Sequence, residues 1–172
     1  MTLSLVVLAL VTLQRLGELL LARRNTHRLL ARGAREVGAA HYGVIVALHA
    51  AWLAGLWILV VAGRRDIAWP WLAGYLALQA ARAWVIATLG ERWTTRVIIL
   101  PGAPLVRKGP YRFLSHPNYL VVAAEIAVLP LAFGLTAYAV VFFVLNAAVL
   151  AIRLRAESRA LAPGADRIAH GS

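Results

Sequence analysis

The stretch TLSLVVLALVTLQRLGELLLA, from Thr2 to Ala22, decides the fold. At 1.5 Å per residue it reaches about 30 Å as a helix, the thickness of a bilayer's hydrocarbon core. It has no basic segment before it, carries Arg15 and Glu18 inside it, and lacks a small-residue cleavage site after it. It therefore reads as a retained helix rather than a cleaved signal. Four more apolar runs follow: Tyr42–Ala62, Ala68–Gly90, Tyr119–Leu135 and Ala137–Ile152, the last helix carrying on to about Ala160. The expectation is an all-α fold: a single membrane domain over residues 1–172 with five transmembrane helices and a loop over about 91–118. Phe133-Gly134-Leu135-Thr136 predicts a tight hairpin between the last two helices.

Composition agrees. Of 172 residues, 62% are hydrophobic and 15% charged. A water-soluble domain is roughly half apolar and a quarter charged, so an ordinary soluble enzyme, a disordered chain and a collagen-like fibre are excluded. Without cysteine there is no disulfide framework, thiolate nucleophile, iron–sulfur cluster or cysteine zinc site, and no metal is expected. A net charge of +11 would suit nucleic acid. The basic residues, however, flank the apolar runs, which is a topology signal, and no nucleic-acid partner is expected.

Fourteen Lys and Arg lie in the first and third connections and the tail, against only Arg64 and Arg65 in the second connection. The positive-inside rule puts the N-terminus outside and the C-terminus in the cytoplasm, in the cell's plasma or inner membrane. Arg15 and Glu18, with His49, Gln79, Arg82, Glu125 and Asn146, then fall in the cytoplasmic half of their helices. They predict a polar chamber open to the cytoplasm beneath a dry outer layer. Arg15, Glu18 and Arg82 could equally pair with one another to hold helices together. Glu125, about 9 Å past Tyr119 along the fourth helix, has two readings. It is either an ion-pair partner of Arg82 or Arg15, or a catalytic hydrogen-bond acceptor for a substrate hydroxyl.

The third connection carries the chemistry. Pro101, Pro104, Pro110 and Pro117 break any long helix, while Gly102 and Gly109 permit turns. Trp93, Tyr111, Phe113 and Tyr119 suit a pocket wall. Such a stretch predicts a folded loop that grips a polar small molecule. Downstream, Arg153 and Glu157 are four residues apart on one helix face, with Asn146 two turns earlier.

These segments resemble the isoprenylcysteine carboxyl methyltransferase family of integral membrane methyltransferases. The match is Leu105-Val106, Gly109-x-Tyr111, His116-Pro117-Asn118-Tyr119, then Arg153-x-x-x-Glu157 and Leu161, over about the last eighty residues. The resemblance implies S-adenosylmethionine held on the cytoplasmic side and a lipophilic acceptor entering from the bilayer. It implies cofactor contacts at Leu105, Val106, Tyr111, His116, Pro117, Asn118, Tyr119 and Glu157, with Arg96 near another. It also implies that Arg153 orients the methyl acceptor. Ser115 stands where the family usually has Arg, Leu120-Val121 where Gly follows the Tyr, and Glu157-Ser158 where paired glutamates are usual. These departures bear on the acceptor. The sequence looks closer to bacterial members that methylate a hydroxyl of alkylated phenols or pyrones than to enzymes acting on a prenylcysteine carboxylate. Two other readings stand beside this one: an NADPH-dependent reductase of the sterol type, which shares a His-Pro-x-Tyr loop, and a small membrane transporter or scaffold.

Overall fold

The computed structural model describes residues 2–161. Five helices follow the apolar runs: α1 (Thr2–Ala31), α2 (Ala39–Gly63), α3 (Trp69–Leu89), α4 (Pro117–Ala132) and α5 (Thr136–Leu161). Four of them are long and apolar enough to cross a membrane; α4, with 16 residues, is shorter. At 1.5 Å per residue α4 reaches about 24 Å. The all-α membrane bundle expected from the apolar runs is the fold observed.

Two departures from the expected runs have clear physical reasons. The apolar stretch ends at Ala22, but the Arg, Leu and Ala that follow are good helix formers, so α1 continues to Ala31. The extension carries Arg23, Arg24 and Arg28 beyond the apolar segment. The first and third connections also pair as a short sheet, β1 (Arg35–Val37) against β2 (Val97–Ile99), antiparallel with Glu36 opposite Ile98. Val97-Ile98-Ile99 is a β-branched run suited to a strand. The segment 91–118 is therefore not wholly loop.

The expected hairpin forms between α4 and α5. Gly134 takes φ 69° and donates its N–H to the Leu131 carbonyl, while Leu135 donates to that of Pro130. This double closure satisfies the last carbonyls of α4, and the left-handed φ suits glycine. The Ala68 N–H donates to the Ala132 carbonyl at 2.8 Å, tying the start of α3 to the same end of α4.

The main core joins Leu8 and Val11 of α1, Trp52, Leu56 and Val60 of α2, Tyr75 of α3, and Ile126 and Leu129 of α4. The Trp52 indole N–H donates to the Ile126 carbonyl at 3.2 Å, which satisfies its one polar atom. Gly55 lets α5 approach α2 closely, because a Cβ there would strike the Tyr138 hydroxyl. That hydroxyl donates to the Trp52 carbonyl at 2.8 Å. Outside, Leu10, Leu13, Leu20, Ile58 and Val144 are more than half exposed. An apolar exterior around an apolar core is what lipid, rather than water, accommodates.

Candidate functional site

Among the described residues, Gln14, Arg15, Glu18, Gln79, Arg82 and Glu125 bond to one another rather than lining an open chamber. Glu125 is fully buried; Arg15 Nη2 and Arg82 Nη1 donate to its Oε2 at 2.8 and 2.9 Å, and Gln79 Nε2 donates to Oε1 at 2.8 Å. Arg82 also clamps Glu18 through Nε and Nη2, both at 2.6 Å. Gln14 donates to Gln79 Oε1 at 2.6 Å and to Glu18 Oε1 at 3.0 Å. Two guanidiniums and two carboxylates from α1, α3 and α4 thus neutralise one another inside the bundle, where unpaired charge is costly. Of the two roles open to Glu125, the geometry realises the ion pair. Its carboxylate is bound up in this network. His49 has its Nδ1 2.8 Å from the Ile45 carbonyl. Asn146 is buried with an Nδ2 that has no partner among the described residues.

The loop motifs converge at one end of the bundle. Gly109 takes φ 56°, and a Cβ there would meet the Thr88 side chain, so the loop lies directly on the end of α3. Pro110, Tyr111 and Arg112 continue from it as a single 3-10 turn. Tyr111 packs beside buried Trp93, Val85 and Ala22. Asn25, on the extension of α1, donates Nδ2 to the carbonyls of Trp93 at 2.8 Å and Gly90 at 3.1 Å, pinning the start of the connection. Further along, Arg92 Nη1 donates to the Pro104 carbonyl at 2.5 Å.

At the mouth of α4, the rings of His116 and Tyr119 stack with centroids 5.3 Å apart and planes 7° apart. Pro117 is buried at the first turn, where its missing N–H costs nothing. Arg153 of α5 donates Nε to the Tyr119 hydroxyl at 2.9 Å, and its guanidinium lies 5.3 Å from that ring's centroid. The structure therefore joins three of the residues singled out from sequence: His116, Tyr119 and Arg153. Arg153 also lines a small, partly open cleft with Glu36, Tyr42, Ile45 and Arg96.

Arg96 Nη1 lies 2.7 and 3.0 Å from the two oxygens of Glu36, and its guanidinium sits 4.5 Å above the Tyr42 ring. The hydrogen bond to Glu36 holds the Arg96 pKa above the ordinary arginine value. The remaining expected contacts are less gathered. Leu105 is exposed and Val106 half-buried on the loop. Glu157 lies within α5, but its side chain is outside the described residues. Glu36 and Tyr42 are the residues sequence reasoning misses. The signal for them is the β-branched run at Val97–Ile99, whose partner strand carries Glu36.

Two buried polar atoms in this region lack a hydrogen-bond partner among the described residues: Asn118 Oδ1, an acceptor, and Trp93 Nε1, a donor. Buried polar groups are normally satisfied. An acceptor between His116 and Tyr119, and a donor beside Tyr111, suit a ligand rich in amino, carbonyl and hydroxyl groups. Among the described residues no group of three His, Asp or Glu could hold a metal ion.

An apolar helix bundle, with polar and aromatic residues of one connection and of its last helix gathered at one end, defines a multi-pass membrane protein. The family model described as isoprenylcysteine carboxyl methyltransferase (ICMT) family matches residues 71–163, the segment that carries His116, Tyr119 and Arg153. The uncharacterized protein YpbQ of Bacillus subtilis is 36% identical over 157 residues, covering 90% of this chain and 94% of its own. No solved structure matches the chain. The chain belongs to the isoprenylcysteine carboxyl methyltransferase family, a family of membrane methyltransferases.

Proposed function

We propose that this protein transfers a methyl group from S-adenosylmethionine to an oxygen of a lipophilic acceptor dissolved in the bilayer. The acceptor is a hydroxyl on an alkylated phenol or pyrone ring in preference to a prenylcysteine carboxylate. The observation that carries the reading is Arg153, which is hydrogen-bonded to Tyr119 of the loop and also lines the cleft. One side chain thereby connects the segment that would hold the cofactor with the space that would hold the acceptor. His116, Asn118, Tyr119 and Tyr111 would hold the cofactor, with Leu105, Val106 and Glu157 as further expected contacts.

S-adenosylmethionine, when bound, supplies a methyl group already activated on a sulfonium sulfur. What remains for the protein is proximity, orientation and a base or water to take the hydroxyl proton as the O–CH3 bond forms and the S–CH3 bond breaks. The stacked His116 and Tyr119 rings present a flat wall. Tyr119 keeps the Arg153 guanidinium from swinging, so its Nη groups can steady the acceptor oxygen. The paired charges around Glu125 brace α1, α3 and α4 against one another and so fix the platform beneath the loop.

The location follows from charge. Arg23, Arg24 and Arg28 on α1, the basic residues of the 91–118 connection, and Arg153 and Arg155 all lie at the end of the bundle that carries the site. We place that end in the cytoplasm and the N-terminus outside, across the cell's own membrane.

Purified protein titrated with S-adenosylhomocysteine and, separately, with NADP tests the reading. A raised thermal midpoint with the first alone supports it. A rise with NADP alone favours a reductase, and no response to either favours a transporter or scaffold. Membranes incubated with labelled S-adenosylmethionine and the host's lipid extract would then reveal the acceptor as the labelled product.

A further inference from the structure

The cleft beside Arg153 is built from two halves of the chain. Arg96, Val97 and Arg153 fall within the family match at residues 71–163, whereas Glu36, Val37, Gly38, Tyr42 and Ile45 come from outside it. The pairing of β1 with β2 brings the two halves together, because it sets Glu36 beside the strand that follows Arg96.

The charges in this space are two guanidiniums and one carboxylate. Arg153 commits Nε to Tyr119, and its Nη groups have no hydrogen-bond partner among the described residues. Glu36 is held in place. Arg96 Nη1 touches both its oxygens, Arg96 is stacked on Tyr42, and the Tyr42 hydroxyl is 3.0 Å from Thr95 Oγ1. A carboxylate offers about four acceptor positions, so a single nitrogen leaves Glu36 capacity for a further donor. Val37 and Ile45 supply apolar wall.

We propose that Glu36 is the residue that selects the methyl acceptor, favouring one that carries a proton on the reacting oxygen. A phenol or enol can donate to Glu36 while its oxygen faces Arg153. A carboxylate acceptor, though drawn by Arg153, has no proton to donate and meets the free acceptor positions of Glu36 as a like charge. Selection against the wrong partner by such repulsion is a common device. The inference rests on the methyl-transfer reading and adds to it the residue, outside the family match, that chooses the substrate.

Two probes test it: a phenol and a benzoate carrying the same long alkyl chain at the same ring position. Each is methylated with labelled S-adenosylmethionine, and S-adenosylhomocysteine affinity is measured calorimetrically on the same preparations. The parent should prefer the phenol. Glu36→Gln should move the phenol-to-benzoate ratio of kcat/KM at least about fivefold towards the benzoate, the scale of one partly buried charge, with S-adenosylhomocysteine affinity unchanged. Arg96→Gln leaves the carboxylate unneutralised and should move the ratio the other way. An unchanged ratio in Glu36→Gln, or a shift in the same direction for both variants, overturns the proposal. Should Glu36→Gln fail to fold, Arg96→Gln decides: a shift towards the phenol supports the proposal and no shift overturns it. A parent protein that does not bind S-adenosylhomocysteine overturns the methyl-transfer reading instead.

Discussion

Arg153 donates its Nε to the Tyr119 hydroxyl across 2.9 Å, although the two residues stand 34 positions apart on different helices. The bond ties the last helix to the mouth of α4 and uses only one edge of the guanidinium. Tyr119→Phe keeps the ring and its stack on His116 but removes the acceptor. Turnover should fall about tenfold, the scale of one lost hydrogen bond to a charged group, while S-adenosylhomocysteine affinity changes little. Arg153→Lys keeps the charge but loses the planar fork, so it should show the same split more strongly. Equal losses of turnover and affinity in both variants would move Arg153 into the cofactor site.

His116 tests the other side of the same aromatic pair. Its ring stacks on Tyr119 within 7° of parallel, and it caps the first turn of α4 without a side-chain cap bond. His116→Ala should therefore weaken S-adenosylhomocysteine binding about tenfold, removing a stacked pair worth about 0.5–1.5 kcal/mol and a direct contact, without unfolding the helices. Far-ultraviolet circular dichroism and calorimetry on one preparation check both halves of this expectation. Unchanged affinity would place the cofactor elsewhere.

The helices are legible in sequence because each needs only a continuous apolar run, a signal held within some twenty residues. The hairpin at Gly134 is legible for a related reason, since a single Gly between two apolar runs marks the turn. The pairing of Arg35–Val37 with Val97–Ile99 is not. Strands of three residues carry almost no periodicity, and their register depends on two helices bringing them together. Glu36 was consequently missed. Glu125 lies between these cases. Its depth and candidate partners can be read by counting residues, but which partner it takes depends on how α1, α3 and α4 rotate, and sequence spacing does not determine that. His116, Tyr119 and Arg153 are legible through the order and spacing of family motifs, whereas the hydrogen bond between the last two is visible only in the structure.

Gly109 offers a backbone test of the loop's seat. Ala there must adopt a left-handed φ, at a cost of about 1–2 kcal/mol, and must also displace the Thr88 side chain. Gly102 has a similar φ of 73° but open space around it. Both Gly→Ala variants should lower the thermal midpoint, while Gly109→Ala alone should also weaken S-adenosylhomocysteine binding, by about tenfold. Equal effects from the two would show that loop conformation, rather than contact with α3, governs the site.

The last prediction concerns Glu125. Its carboxylate receives Arg15, Arg82 and Gln79 and is fully buried. Glu125→Gln keeps the shape but leaves two guanidiniums facing Glu18 alone, with a net positive charge inside the apolar bundle. Removing one partner of a buried pair typically costs about 3–5 kcal/mol. The variant should therefore assemble poorly, or unfold in detergent at a markedly lower midpoint. Any loss of methylation should follow the loss of folded protein. A second change separates the explanations. Adding Arg15→Gln restores charge balance, with Arg82 still paired to Glu18, and should recover part of the lost midpoint. If Glu125→Gln instead folds with the parent's midpoint and S-adenosylhomocysteine affinity yet turns over at least about tenfold more slowly, the carboxylate takes part in acid–base help to the acceptor. The balanced double variant would then stay slow, whereas a purely structural Glu125 would let its turnover recover along with its fold.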